Sequence, residues 1–171
     1  DAPYGRPGAM VLAFNEEERP TIEKLYQQGI ENGVPEIRII EHDEILELEP
    51  SVNPGVVCAL LVPTSGLTSP YELTYALADH AAVNGVQFIM NARVSRIRRE
   101  NGGFVLDTAK GEMQADLIIN CAGLGSGDLH NQLSDRKVKL IPRKGEYYLL
   151  DKSEGSRVSH VIFQCPSAVG K

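Results

Sequence analysis

The first half of the chain alternates between two patterns of apolar residues. Short apolar runs are typical of strands, and apolar positions three and four residues apart are typical of helices. Such alternation favours a mixed fold, between α/β and α+β. The predicted elements are a strand at 9–14, a helix from Pro20 to Asn32-Gly33, a strand at 37–40, a helix at 43–48 and a strand at 56–62.

The clearest helix start lies at Ser69-Pro70, with Glu72 at the position of a capping box. This helix is predicted to end at Asn84-Gly85. Its predicted inner face comprises Leu73, Ala76, Leu77, His80 and Ala81.

The second half of the chain is predicted to be rich in strands. Asn101-Gly102 and Lys110-Gly111 are typical hairpin turns, and they predict a three-stranded meander. The predicted strands are 86–90, 92–98, 103–108, 112–115, 138–141, 145–151 and 158–164.

A short apolar run between the meander and the later strands ends in glycines. Leu117–Ile119 predicts a strand buried on both faces, and Ser126 is predicted to cap a short helix after the turn. A strand, a glycine turn and a helix in this order are typical of nucleotide sites. The spacing G-x-G-x-x-G would need glycine where Asp128 stands, so a plain turn and a cofactor contact both stay open.

A second unusual segment places polar residues in an apolar strand. Lys144, Glu146 and Tyr148 share one face of the strand predicted here. A polar face can line a substrate pocket, or it can be the solvated side of an amphipathic strand. The sequence leaves both interpretations open.

Charge excludes one broad class of function. The chain has 17 basic and 23 acidic side chains and a net charge of −6, which argues against a general nucleic-acid binder. The cluster Arg93, Arg96, Arg98 and Arg99 is interpreted as the solvated face of an edge strand.

The spacing of residues in the sequence gives little support for disulfide, metal or nucleophilic chemistry. Three separated cysteines give neither a disulfide framework nor a zinc site, which fits a reducing cytoplasm. Cys58 and Cys121 lie in apolar runs and are predicted to be buried, whereas Glu47 and Glu49 are predicted to be solvated. No metal site, nucleophile–base pair, signal peptide or membrane span is predicted.

Five short motifs in order resemble one family of flavoproteins. The resemblance is to the D-amino-acid-oxidase-like superfamily, and within it to FAD-dependent glycerol-3-phosphate dehydrogenases and L-2-hydroxyglutarate oxidases. It covers nearly the whole chain. The motifs are Leu46–Pro50, Pro63–Gly66 with Ser69-Pro70, Asn91–Val94, Ile119–Gly123 and Pro142–Tyr148.

The resemblance implies two interleaved domains. Residues 69–135 would form part of a Rossmann-like FAD domain with a β-meander, and residues 1–68 and 136–171 would form part of a mixed or antiparallel substrate domain. The backbone of Val94 would contact the adenine of FAD. Ala122, Gly123 and Leu124 would line the cofactor, and the strand with Lys144, Glu146 and Tyr148 would lie near the flavin.

The implied reaction is oxidation of a hydroxy substrate by hydride transfer to the flavin. Glycerol 3-phosphate is the expected substrate, and L-2-hydroxyglutarate or another 2-hydroxy or amino acid is the alternative. Arg143 or Lys144 is the expected partner of the substrate's negative charge. No catalytic base is identified.

The family's amino-terminal G-x-G-x-x-G turn and its final glycine-rich segment are absent from this sequence. We therefore expect an internal fragment that is inactive alone and holds no FAD, although the intact protein would use it. An inert module and an NAD-binding domain are the other hypotheses, and the absent fingerprint disfavours the second. Unpaired sheet edges could allow an oligomer.

Overall fold

The computed structural model describes residues 2–167 and has a mixed α/β architecture. Its contacts form two compact units: one contains the residues up to Val83 and from Leu149 onward, and the other is Asn84–Tyr148. The assignment of segments to an FAD domain and a substrate domain stays a prediction. No helix in the described range is long and apolar enough to cross a membrane.

Nine strands and four helices make up the regular structure of residues 2–167. In chain order they are β1 Tyr4–Gly5, β2 Ala9–Ala13, α1 Arg19–Glu31, β3 Arg38–Glu41, α2 His42–Leu48, β4 Cys58–Val62, β5 Leu67–Thr68, α3 Pro70–Val83, β6 Val94–Glu100, β7 Gly103–Thr108, β8 Gly111–Ala115, α4 Ser126–Leu133 and β9 Val161–Gln164.

The first unit is built on a four-stranded sheet of order β3-β4-β2-β9. β2 pairs antiparallel with β4 and parallel with β9. Alternate residues of β4 face opposite sides of this sheet: Cys58 and Leu60 pack with Ile22 of α1, and Ala59 and Leu61 pack in the cluster that contains Ile45 of α2. The sheet therefore has an apolar core on each face.

A buried carboxylate ties the end of α2 to the segment before β9. Glu49 is only 1% exposed, so the prediction that it is solvated is wrong. Its Oε1 atom accepts hydrogen bonds from Ser159 N at 2.8 Å, Ser159 Oγ at 2.6 Å and His160 N at 2.7 Å. The same oxygen lies 2.6 Å from Nδ1 of His160. One side chain thus fastens two parts of the first unit that are far apart in sequence.

The second unit contains the predicted meander, with sheet order β6-β7-β8. Asn101 and Gly102 both have positive φ, 50° and 84°, as the favoured two-residue hairpin turn requires. Helix α4 packs against β6, the strand at one edge of this sheet. The meander is therefore confirmed.

Four predicted strands are wrong, because the structure has irregular backbone at 86–90, 117–119, 138–141 and 145–151. A strand is stable when a neighbouring strand pairs with its N–H and C=O groups, and no strand of the described chain pairs with these segments. Leu117 and Ile119, predicted to be buried, are 76% and 79% exposed.

Helix α3 begins as predicted, and the backbone N–H of Glu72 donates to Ser69 Oγ at 3.3 Å. However, none of its residues is buried, and Leu77 on the predicted inner face is 62% exposed. The capping signal is local and sets the helix start, whereas burial of the inner face needs a packing partner.

Candidate functional site

A groove of about 660 Å³ in the second unit lies between the start of β6, the turn at Gly123–Gly125, which we call the glycine turn, and helix α4. We call it the β6–α4 groove. Its volume is within the range of small-molecule sites. Its lining residues are Arg93, Val94, Ser95, Ala122, Gly125, Asp128, Leu129 and Gln132.

The glycine turn of this groove is held by one carboxamide. Asn120 Oδ1 accepts from Ala122 N at 3.3 Å, and Asn120 Nδ2 donates to the carbonyl of Ser126 at 2.8 Å. Gly123–Gly125 forms a single 3₁₀ turn that leads directly into α4. The turn is therefore fixed at both of its ends.

Backbone conformation explains why Gly123 suits this turn. Its φ is +55°, a region that residues with a Cβ atom adopt at a cost. A Cβ atom at Gly123 or Gly125 would meet no atom within 4 Å, so this surface is open. Ser126 does not cap α4 as predicted: it is the first residue of the helix, and Gly125 holds the cap position without a side-chain hydrogen bond.

The structure brings together two of the predicted cofactor residues. Val94 and Ala122 come from different elements and both line the β6–α4 groove. Gly123 and Leu124 belong to the same turn, and Leu124 is 73% exposed. The contact of these four residues with a cofactor stays a prediction.

The contribution of α4 to this groove is absent from the residues predicted from the sequence. Asp128, Leu129 and Gln132 of α4 line it together with Gly125, the residue before the helix. They occur at positions i, i+3, i+4 and i+7, which lie on one face of a helix. This spacing, counted from the glycine turn, is the signal that identifies them.

One arginine of the basic cluster, Arg98 of β6, is engaged by its own sheet. Arg98 pairs with Asp107 of β7 at 3.2 Å and with Glu112 of β8 at 2.6 Å. The hydrogen bond from Arg98 holds the pKa of Glu112 below its usual value. Arg93, Arg96 and Arg99 are exposed, which supports the interpretation of a solvated strand face.

The predicted substrate residues occupy an exposed, irregular segment. Lys144 Nζ lies 2.7 Å from Glu146 Oε1, and both side chains are largely exposed. Tyr148 is 96% exposed, and Arg143 forms no ion pair with any described residue. The structure thus pairs Lys144 with Glu146. A pocket formed by these two residues with Arg143 and Tyr148 stays a prediction.

Cysteine chemistry has little support in the described structure. Cys58 is buried as predicted, and burial raises the pKa of its thiol. Cys121 is exposed, contrary to prediction, because the apolar run before it is not part of a sheet. Within residues 2–167, no three His, Cys, Asp or Glu side chains group as a metal site.

Comparison with curated proteins gives long matches over this chain. Glycerol 3-phosphate dehydrogenase of Caloramator mitchellensis is 42% identical over 171 residues, which is 100% of this chain and 36% of that protein. L-2-hydroxyglutarate dehydrogenase of Indibacter alkaliphilus is 31% identical, over 96% of this chain and 41% of that protein. The chain thus spans well under half of the length of these relatives.

Solved structures agree with the fold. L-α-glycerophosphate oxidase of Mycoplasma pneumoniae with FAD bound matches with a TM-score of 0.81 and 26% identity, over 99% of this chain and 46% of that chain. Glycine oxidase of Geobacillus kaustophilus matches with a TM-score of 0.70 and 28% identity, over 78% and 36% of the two chains. The predicted fold class is therefore confirmed.

The family model for FAD-dependent oxidoreductases, DAO, matches residues 1–170. This match covers both units of the fold, including the elements that form the β6–α4 groove. The chain belongs to the DAO family of FAD-dependent oxidoreductases.

Proposed function

We propose that the intact protein oxidises glycerol 3-phosphate with FAD as its cofactor. The observation that supports glycerol 3-phosphate as the substrate is the 42% identity to a glycerol 3-phosphate dehydrogenase over the full length of this chain. The 31% identity to an L-2-hydroxyglutarate dehydrogenase makes a 2-hydroxy acid the second candidate. A small anionic substrate fits both hypotheses.

We also infer a cytoplasmic location, since the separated cysteines suggest no disulfide framework.

The β6–α4 groove supports a role in holding part of FAD. Small residues, Ala122 and Gly125, leave room for close approach of a ligand. A Cβ atom on either glycine of the turn would point into open space, as expected for a surface that a cofactor covers. In this proposal Val94, Ala122, Gly123 and Leu124 contact the cofactor.

When bound, FAD would supply the acceptor for the hydride of the carbon that bears the substrate hydroxyl, and the hydroxyl proton would pass to solvent. The residues of this chain would bind and orient the substrate. Arg143 and Lys144 supply positive charge for its phosphate or carboxylate. The Lys144–Glu146 pair is exposed, and such pairs contribute little free energy, so an anion can displace Glu146 at low cost.

Substrate oxidation by the full-length protein tests this proposal. With FAD bound and an artificial electron acceptor present, glycerol 3-phosphate should drive reduction of the acceptor faster than L-2-hydroxyglutarate or glycine at equal concentration. Faster reduction by L-2-hydroxyglutarate would support the second candidate instead. A protein that binds no FAD, or whose flavin no hydroxy substrate reduces, would contradict both.

Replacement of the two cations should weaken substrate binding. Arg143→Gln and Lys144→Gln, each in the full-length protein, should raise KM for glycerol 3-phosphate about 10- to 100-fold, because each removes a charge-assisted hydrogen bond worth roughly 1.5–3 kcal/mol. Steady-state kinetics measures the change. Lys110→Gln, at an exposed hairpin turn, is the matched control and should leave KM unchanged. Unchanged KM in both test variants would remove these residues from the site.

A further inference from the structure

Gln132 of α4 occupies the position that a neighbouring strand would take beside β6. Its Oε1 atom accepts from the backbone N–H of Ile97 at 2.8 Å, and its Nε2 atom donates to the carbonyl of Ser95 at 3.3 Å. A side-chain carboxamide has the same donor and acceptor as a backbone peptide group. Gln132 therefore pairs with the open edge of the meander as a short strand would.

The backbone N–H of Ile97 needs this hydrogen bond because the residue is buried. Ile97 is 6% exposed, so its backbone N–H has little access to water. A buried N–H group without a partner is unfavourable, and β6 has no strand on this side within the described chain. The carboxamide of Gln132 satisfies this donor and at the same time joins α4 to β6.

The same residue lies beside the predicted cofactor contacts. Gln132, Val94 and Ala122 all line the β6–α4 groove. The glycine turn leads directly into α4, so the position of α4 also sets the position of the turn. The two hydrogen bonds of Gln132 thus hold α4, which carries one side of the groove, against β6.

We propose that Gln132 is a positioning residue for the bound cofactor, an inference that rests on the proposed function. It acts through α4 and β6 by holding the glycine turn at a fixed distance from Val94. The predicted consequence is that loss of its hydrogen bonds weakens FAD binding and frees the N–H of Ile97 for exchange with solvent.

Three variants of the full-length protein separate the possibilities. Gln132→Met keeps the length of the side chain and removes both hydrogen bonds. Gln132→Glu keeps an acceptor for Ile97 N–H but loses the donor to Ser95. Gln114→Met changes an exposed glutamine on β8, the opposite edge strand, and serves as the matched control.

Two measurements should agree if the proposal is right. Gln132→Met should raise the FAD dissociation constant about tenfold, measured by flavin fluorescence at a temperature where circular dichroism shows a folded protein. It should also speed hydrogen–deuterium exchange in the peptide 94–100 of the apoprotein. Gln132→Glu should retain protection of that peptide and lose less affinity, and Gln114→Met should change neither quantity.

Several results would overturn this inference. Unchanged exchange in Gln132→Met would mean that the carboxamide does not cap β6, and faster exchange with unchanged FAD affinity would mean that the cap does not position the groove. If Gln132→Met fails to fold, Gln132→Glu decides. Wild-type FAD affinity together with rapid exchange of the peptide 94–100 in that variant would also overturn the inference. Failure of the wild-type protein to bind FAD would instead identify an error in the proposed function.

Discussion

Replacement of Glu49 with alanine in the full-length protein should lower the free energy of unfolding by about 3–5 kcal/mol, the range for breaking a buried charged pair or network by removing one partner. Alanine would leave the N–H groups of Ser159 and His160 without the acceptor that Oε1 now supplies. It would also leave a cavity where a side chain with 1% exposure was packed. The midpoint of urea denaturation measures the change.

Glu47→Ala is the matched control, since Glu47 is an exposed glutamate in α2, two residues before Glu49. Its effect should be below about 0.5 kcal/mol, as for most exposed positions. Glu49→Gln keeps one oxygen acceptor but lacks the charge, so its stability should fall between wild type and Glu49→Ala. Equal stability of the Glu47 and Glu49 alanine variants would show that this network does not fasten β9.

The pH dependence of stability provides an independent test of the same network. Burial raises the pKa of the Glu49 carboxyl, but the hydrogen bonds from Ser159 and His160 together outweigh burial and leave the pKa below its usual value. A carboxyl with a lowered folded-state pKa stabilises the protein above its unfolded pKa of about 4.3. That stabilisation is lost as pH falls through the folded pKa, and Glu49→Ala should lack this part of the decline.

The second large effect is expected at the glycine turn. Gly123→Trp in the full-length protein should weaken FAD binding by at least about 100-fold, equivalent to about 2.8 kcal/mol. The new side chain starts at a position with no atom within 4 Å, so it would occupy space that we propose belongs to the cofactor. Titration of the apoprotein with FAD, followed by flavin fluorescence, measures the loss.

Gly102→Trp separates this steric effect from backbone strain. Gly102 also has a positive φ, +84°, and open space around its Cβ position, but it lies in the hairpin between β6 and β7. Both variants therefore carry a similar conformational penalty. A comparable loss of FAD affinity in both would indicate general destabilisation, and wild-type affinity in Gly123→Trp would remove the turn from the cofactor site.

Elements specified by neighbouring residues are predictable from the sequence. The cap of α3 needs only Ser69 and Glu72, and the β6–β7 turn needs only Asn101 and Gly102 with positive φ. Local residue types alone therefore locate the meander and the start of α3.

Features that depend on distant residues could not be predicted in this way. Leu117–Ile119 has the composition of a buried strand, but it finds no partner strand in residues 2–167. Glu49 stands in an acidic segment that resembles a solvated helix end, and its burial depends on donors at Ser159 and His160, 110 and 111 residues later. No local pattern indicates such a contact.

The candidate site combines both kinds of information. Short motifs point to Val94 and the glycine turn, through their resemblance to a family that the comparisons confirm. The contribution of α4, including Asp128 and Gln132, required the packing of the helix against β6. Substrate binding by the segment around Arg143 and Lys144 is supported only by the charge of these residues and by the family resemblance.

Hydrogen–deuterium exchange of the full-length protein, with and without FAD, tests whether the cofactor contacts the β6–α4 groove. If the β6–α4 groove holds part of the cofactor, FAD should slow exchange in two separate peptides, 92–97 and 121–127, which contain Val94 and the glycine turn. The peptide 110–115 on β8 should not change. Unchanged exchange in both groove peptides, with FAD demonstrably bound, would show that the groove does not hold the cofactor.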